Sequence, residues 1–298
     1  MIAPAAAALR DRLRWRLIAA TATPVDASGA VNAHVLDHYL RGLVTDGADA
    51  LAVLAHTGRG PYHGESTRDL VISRAVDTGA PVIVGVGGRP GERTDDVAAQ
   101  AVRAATLGAA GLLVFPVDGD PVAHHDALWR AAGLPMLAFD LYLRPYAEPV
   151  LAELLRHPGV AGVKVARLHD ALACQAVLAA AHLADRLAVT GEDRMFGPSL
   201  MWGAEAALVG LAAAAVPTTA RVLRAYADKC HDEFIAASAD LDRLAEVTFT
   251  APMEGYVQRM LWIAAEEGRI PADHAGDPYA PALPDGDRDR VLRVAGRR

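Results

Sequence analysis

The run Gly159-Val160-Ala161-Gly162-Val163-Lys164-Val165-Ala166 sets a single amine in an otherwise apolar stretch. A short, continuously apolar run reads as a strand covered on both faces, as in a parallel sheet flanked by helices. Of the 29 lysines and arginines in the chain only two, Lys164 and Lys229, are lysine. Where arginine serves nearly every cationic position, a lysine inside an apolar strand points to a need for an amine. Guanidinium stays protonated and is a poor nucleophile, whereas a desolvated amine can lose its proton near neutral pH and attack a carbonyl. The plainer reading is a lysine whose head snorkels out of the strand end.

Outward from this run, short apolar segments at 17–20, 50–54, 82–86, 111–115, 136–139, 160–165, 187–189 and 206–209 alternate with helical spacing at 33–45, 66–77, 95–107, 122–132, 149–156 and 170–184. Eight strands with intervening helices over about 200 residues predict an α/β fold, a (β/α)8 TIM barrel. A doubly wound open sheet is the structural alternative. After 216 the strands stop. Helices are expected over 217–241, 243–248 and 252–267, then a proline-rich connector and a last helix over 287–294. The expected organisation is a barrel with a short N-terminal extension over 1–216 and a C-terminal helical appendix over 217–298, packed on the barrel.

With 52% hydrophobic and 22% charged residues, the 298-residue chain can bury a large core, and disorder is not expected. The net charge of −7 and the lack of long basic runs argue against nucleic acid. Cys174 and Cys230 read as reduced, buried thiols. The start of the chain lacks the order of a signal peptide, and no apolar run is long enough for a membrane span, so a cytoplasmic protein without a membrane partner is expected.

In a barrel of this kind the chemistry sits at the carboxyl ends of the strands. Lys164 falls near the end of the sixth. The second ends in Ala55-His56-Thr57-Gly58-Arg59-Gly60, where the Thr57 hydroxyl and neighbouring N–H groups suit a carboxylate and His56 suits acid–base work. An ordinary turn with a hydrogen-bonded histidine is the competing reading. The fifth ends in Phe139-Asp140-Leu141-Tyr142-Leu143-Arg144, offering a phenol and a carboxylate clamp, or a plain loop. Gly85 to Gly91 lacks the P-loop lysine and the full dinucleotide fingerprint, so a flexible turn is preferred to a nucleotide site. His124-His125-Asp126 reads as a helix start, because adjacent helical residues point in different directions. No metal site and no cofactor are expected.

Taken together, Ala20-Thr21-Ala22-Thr23-Pro24, Ala55-His56-Thr57-Gly58, Gly162-Val163-Lys164 and Gly191-Glu192-Asp193 resemble, in order and spacing, the dihydrodipicolinate synthase / N-acetylneuraminate lyase family of class I aldolases. The resemblance runs from about Leu17 to the C-terminus. It implies a barrel with helical appendix, commonly tetrameric, in which Lys164 forms an imine with a 2-oxo acid such as pyruvate. It further implies that Thr57 and adjacent amides hold the carboxylate, that Arg144 meets the second substrate, and that Gly191 lines the pocket through its backbone.

The departures from the resembled pattern are specific. Its proton-relaying tyrosine at the end of strand five aligns with Phe139, the first threonine of its loop with His56, and a frequent glutamate with Arg59. Its further tyrosine is replaced around Val117-Asp118. A standard dihydrodipicolinate synthase is therefore not expected. The expectation is a Schiff-base lyase of changed specificity, with Lys164, His56 and Tyr142 catalytic. Thr57, Gly58, Arg59, Phe139, Asp140, Arg144 and Gly191 are expected around the substrate, with Asp140 also a candidate for proton transfer. A small 2-oxo acid and a second copy of the chain, as homodimer or homotetramer, are the expected partners. The alternatives are a catalytically impaired binding or regulatory protein, and a dehydratase or hydratase-aldolase using the same imine.

Overall fold

The computed structural model describes residues 1–296. Eight parallel strands form a closed barrel in chain order: β1 Leu17–Ala20, β2 Ala50–Val53, β3 Val82–Val86, β4 Gly111–Val114, β5 Met136–Leu141, β6 Val160–Ala166, β7 Leu187–Thr190 and β8 Ala206–Val209. Closure is made by β8 beside β1, with Leu17 opposite Ala207 and Ile18 opposite Leu208. That pairing removes the open-sheet alternative.

Side chains alternate across each strand. Ile18, Ala52, Ile83, Leu113, Leu137, Phe139 and Val189 belong to an inner cluster, while Leu17, Leu51, Val84, Val114, Ala138 and Val163 pack in the layer beneath the helices. Both faces are dry, which is why the strands read as continuous apolar runs.

The first helix, α1 (Pro4–Leu13), was not expected as an element. It sends Ala6, Leu9 and Leu13 into the inner cluster, and the Ala3 N–H donates to the Pro158 carbonyl just before β6. The amino end of the barrel is thereby plugged, and the carboxyl end is left as its accessible mouth. The outer layer comprises α2 (Ala33–Thr45), α3 (Glu65–Val76), α4 (Thr94–Thr106), α5 (Pro121–Ala132), α6 (Glu148–Arg156), α7 (Ala171–Leu183) and the short α8 (Phe196–Met201). Asn32, Asp120 and Asp170 cap α2, α5 and α7 by accepting first-turn N–H groups.

Beyond the barrel, α9 (Val216–Ala227) and α10 (His231–Thr248) replace the division expected at 242. The break falls where Lys229 takes a left-handed φ of 60° and the Cys230 N–H turns back to the Ala225 carbonyl. No glycine or proline marks this turn, so periodicity runs straight through it. A 3-10 turn over Met253–Gly255 leads into α11 (Tyr256–Glu266), and α12 is Asp287–Ala295. The expected appendix extends to Arg298, and its last two residues lie outside the described residues.

The appendix is pinned by Arg259, which is fully buried. It donates to Asp287 at 2.6 Å and to the carbonyls of Thr248, Thr250, Ala251 and Pro252. Cys174 is buried, whereas Cys230 is exposed, against the expectation of two buried thiols. Among the described residues no helix is long and apolar enough to cross a membrane.

Candidate active site

Lys164 points into the barrel from the middle of β6, opposite Phe139 on β5 and Val189 on β7. It is only 5% exposed. Its Nζ lies 4.2 Å from the centre of the Phe139 ring, and Phe115 meets that ring edge-on at 5.4 Å. A Cβ on Gly191 would stand 2.5 Å from Lys164 Cε, so glycine is required for the side chain to extend there. Burial pushes the Lys164 ammonium below its usual range, opposed by the negative charge of Asp193 and Glu192. Burial likewise drives the Asp193 carboxyl upward, although it accepts the Leu211 N–H at 2.7 Å. Both shifts disfavour a charged pair at the base of the cavity and favour a free amine.

Lys164 shares a narrow cavity with His56, Thr57, Phe139, Tyr142, Gly191, Asp193, Phe249 and Tyr256. The β2 end reaches it through a tight turn. Leu54 and Arg59 both take left-handed φ, and a Cβ on Gly58 would stand 2.9 Å from the Leu54 nitrogen. Thr57 Oγ1 lies 3.1 Å from the Tyr256 hydroxyl, which is 3.4 Å from His56 Nδ1. The other imidazole nitrogen stands 3.4 Å from Glu254, and Glu254 also accepts the Tyr142 hydroxyl proton. The polar atoms thus run in one connected series from Thr57 to Tyr142. Burial lowers His56 to about 4, so the imidazole is neutral at pH 7.

Two expected site residues, Asp140 and Arg59, are placed otherwise, and a third, Arg144, lies at the edge of the site. Asp140 occupies the outer face of β5, because that strand runs two residues past its expected end and the alternation carries Asp140 away from the cavity. It is fully buried there, accepting the Tyr146 N–H at 2.9 Å and pairing with Arg167. Arg59 is consumed in structure, donating to the Glu254 side chain and carbonyl and to Asp277 at 2.7 Å. Arg144 lies at the mouth rather than in the cavity, paired with Asp118 at 2.8 Å and about half exposed. It borders a separate cleft formed by Arg89, Phe115 and Asp118.

Tyr256, Glu254 and Asp277 were missed. All three come from the appendix, more than 190 residues along the chain from the loop they meet, and no local pattern links them. Asp193 stood out in the sequence only as part of the Gly191-Glu192-Asp193 motif, although it and Lys164 are both buried and each acts on the other's ionisation. His124 and His125 have separate partners, Thr94 and the Pro121 carbonyl, as a helix start implies. Among the described residues no group of three potential ligands is disposed to hold a metal ion.

A closed parallel (β/α)8 barrel with a buried lysine inside its sixth strand and a helical appendix over its mouth defines a recognisable class of protein. The chain belongs to the dihydrodipicolinate synthetase family, whose sequence model matches residues 14–288. It is 28% identical over 299 residues to a 4-hydroxy-tetrahydrodipicolinate synthase of Acidothermus cellulolyticus, spanning 96% of this chain and 92% of that one. A protein of the same name from Prochlorococcus marinus is 31% identical over 224 residues, 70% of this chain and 71% of its own. Among solved structures, dihydrodipicolinate synthase from Bacillus clausii superposes with a TM-score of 0.83 at 17% identity, covering 97% of this chain and 99% of that one. N-acetylneuraminate lyase from Fusobacterium nucleatum superposes at 0.81, also at 17% identity, covering 96% and 99%. These two likenesses bear on the fold alone.

Proposed function

We propose that the protein is a Schiff-base lyase or aldolase acting on a 2-oxo acid such as pyruvate, with Lys164 as nucleophile. The observation that carries this reading is a buried amine, held below its usual pKa range, in a cavity whose wall opposite β6 carries hydroxyl groups. The free amine attacks the 2-oxo carbon, and loss of water leaves a protonated imine. That imine accepts the electron pair released when a bond to the neighbouring carbon breaks, giving an enamine; the reverse sequence forms a bond. Thr57 and the backbone at Gly58 hold the acid's carboxylate. Gly191 gives Lys164 its room, and the Phe139 ring faces the cationic nitrogen.

Phenylalanine transfers no proton, so the relay and the specificity differ from those of a standard dihydrodipicolinate synthase, with His56 and Tyr142 available to move protons. Arg144, at the mouth, selects an anionic partner substrate. The outer face of α7 supports self-association as homodimer or homotetramer: the helix carries no Asp, Glu, Lys or Arg, and Leu172 and Leu183 are 78% and 91% exposed.

Borohydride reduction in the presence of pyruvate and a panel of other 2-oxo acids tests the reading. A covalent adduct on Lys164, found by peptide mass spectrometry and absent from Lys164→Met, is expected. No adduct with any acid of the panel sinks it.

A further inference from the structure

We infer that Tyr256, brought from the helical appendix, is the catalytic residue that exchanges the proton on the carbon next to the imine. The inference rests on the Schiff-base reading above and adds to it a group, a direction of proton flow and a role for the appendix.

Geometry carries it. The Tyr256 side chain lines the same cavity as Lys164. Its hydroxyl has two polar neighbours, Thr57 Oγ1 at 3.1 Å and His56 Nδ1 at 3.4 Å. One hydrogen-bond polarity satisfies the whole series: the Thr57 hydroxyl donates to Tyr256, the Tyr256 hydroxyl to His56 Nδ1, and His56 Nε2–H to Glu254. Glu254 simultaneously accepts from Tyr142 and from Arg59 at 3.0 Å. The Glu254 side chain is 37% exposed, so the series runs from the buried Thr57 hydroxyl to a partly exposed carboxylate.

The alternatives within the cavity are weaker. Phe139 has no exchangeable proton. The Tyr142 hydroxyl is already donated to a carboxylate at the mouth, and Asp140 faces the other side of its strand. Tyr256 is also held rigidly. Its ring stacks on Phe249 at 4.8 Å, and Arg259, three residues along α11, fastens the preceding turn through four carbonyls. Rigid support of this kind is what proton transfer over a fixed distance needs.

The step balances as follows. The C3–H proton of the imine moves to the Tyr256 oxygen as the phenolic proton passes to His56 Nδ1. The C–H electron pair becomes the C2–C3 double bond, and the imine π pair settles on the lysine nitrogen. The products are a neutral enamine, a reprotonated tyrosine and an imidazolium facing Glu254. The reverse transfer returns the proton. Burial keeps the phenol's own pKa far above its usual range, so Tyr256 acts as a conduit and His56 as the acceptor.

Exchange of the pyruvate methyl hydrogens in deuterium oxide, followed by NMR, reads this step without knowledge of a second substrate. Tyr256→Phe keeps the ring that stacks on Phe249 and removes only the hydroxyl. We expect wild type to exchange, and Tyr256→Phe to exchange about 100-fold or more slowly, while both give the same borohydride adduct on Lys164 after long incubation. An adduct with wild-type exchange in Tyr256→Phe overturns this inference and leaves the Schiff-base reading standing. Loss of the equilibrium adduct in Tyr256→Phe also overturns it, because the hydroxyl then serves binding or folding. Absence of any adduct in wild type overturns both.

Discussion

The hydroxyls of Thr57 and Tyr256 stand 3.1 Å apart although 199 residues separate them. One belongs to the loop after β2 and the other to the first turn of α11. On the proposed reading the single Thr57 proton orients the phenol and turns to the carboxylate when substrate binds. Thr57→Val keeps the shape and removes both bonds. A charge-assisted hydrogen bond contributes about 1.5–3 kcal/mol, so the pyruvate concentration giving half-maximal trapping of Lys164 should rise by roughly 10- to 100-fold. An unchanged concentration dependence would remove Thr57 from the carboxylate site.

Gly191 lies against the shaft of Lys164. A methyl group there would sit 2.5 Å from Lys164 Cε and 2.8 Å from the Val165 carbonyl oxygen, which is backbone and cannot yield. Gly191→Ala should cost about 1–3 kcal/mol of stability by overpacking and displace the amine. Denaturant unfolding and the yield of reduced adduct should fall together; full trapping would mean that Lys164 reaches substrate by another path.

Arg59 fastens the appendix to the β2 loop. Its partner Asp277 has a side chain only 1% exposed, so removing the guanidinium strands a buried carboxylate. Loss of one partner of a buried pair typically costs about 3–5 kcal/mol. Arg59→Ala should lose stability on that scale and lose methyl exchange more completely than imine trapping, because Glu254 and the segment leading to Tyr256 lose their tie to the β2 loop while Lys164 keeps its place in β6. Loss of trapping to the same extent would refute this division of labour.

His125 supplies a pH dependence. Burial lowers it to about 3, and its Nδ1 lies 2.7 Å from the Pro121 carbonyl oxygen. The unfolded chain binds its proton near pH 6.5 and the native chain does not. Stability from this neutral imidazole is therefore complete above about 6.5 and is lost as pH falls toward 3. His125→Gln keeps a donor but does not titrate. Its urea-unfolding free energy should decline less than wild type between pH 6.5 and 4, by on the order of 2 kcal/mol. Parallel declines would show that the imidazole protonates in the native state.

The barrel is legible in the sequence because both faces of each strand are dry, so β1, β3 and β8 stand out as apolar runs with sharp ends. Lys164 is legible for the complementary reason, as the polar exception in such a run. Asp140 misled because strand length sets which face a residue takes, and β5 continues to Leu141. Arg59 misled because its partners lie in a different part of the chain. Tyr256 was invisible for the same reason: at the start of an amphipathic helix an aromatic residue looks like core, and only the fold reveals that its hydroxyl faces Thr57.

The plug at one end of the barrel and the pinned appendix at the other also impose an order on biosynthesis. Chains emerge amino end first, so α1 and all eight strands are available before Tyr256, Asp277 or Asp287 has been made. A nascent barrel would hold Lys164 before Phe249, Met253 and Tyr256 arrive to complete the cavity around it. The proton exchange proposed above would then begin only once α11 has joined the barrel.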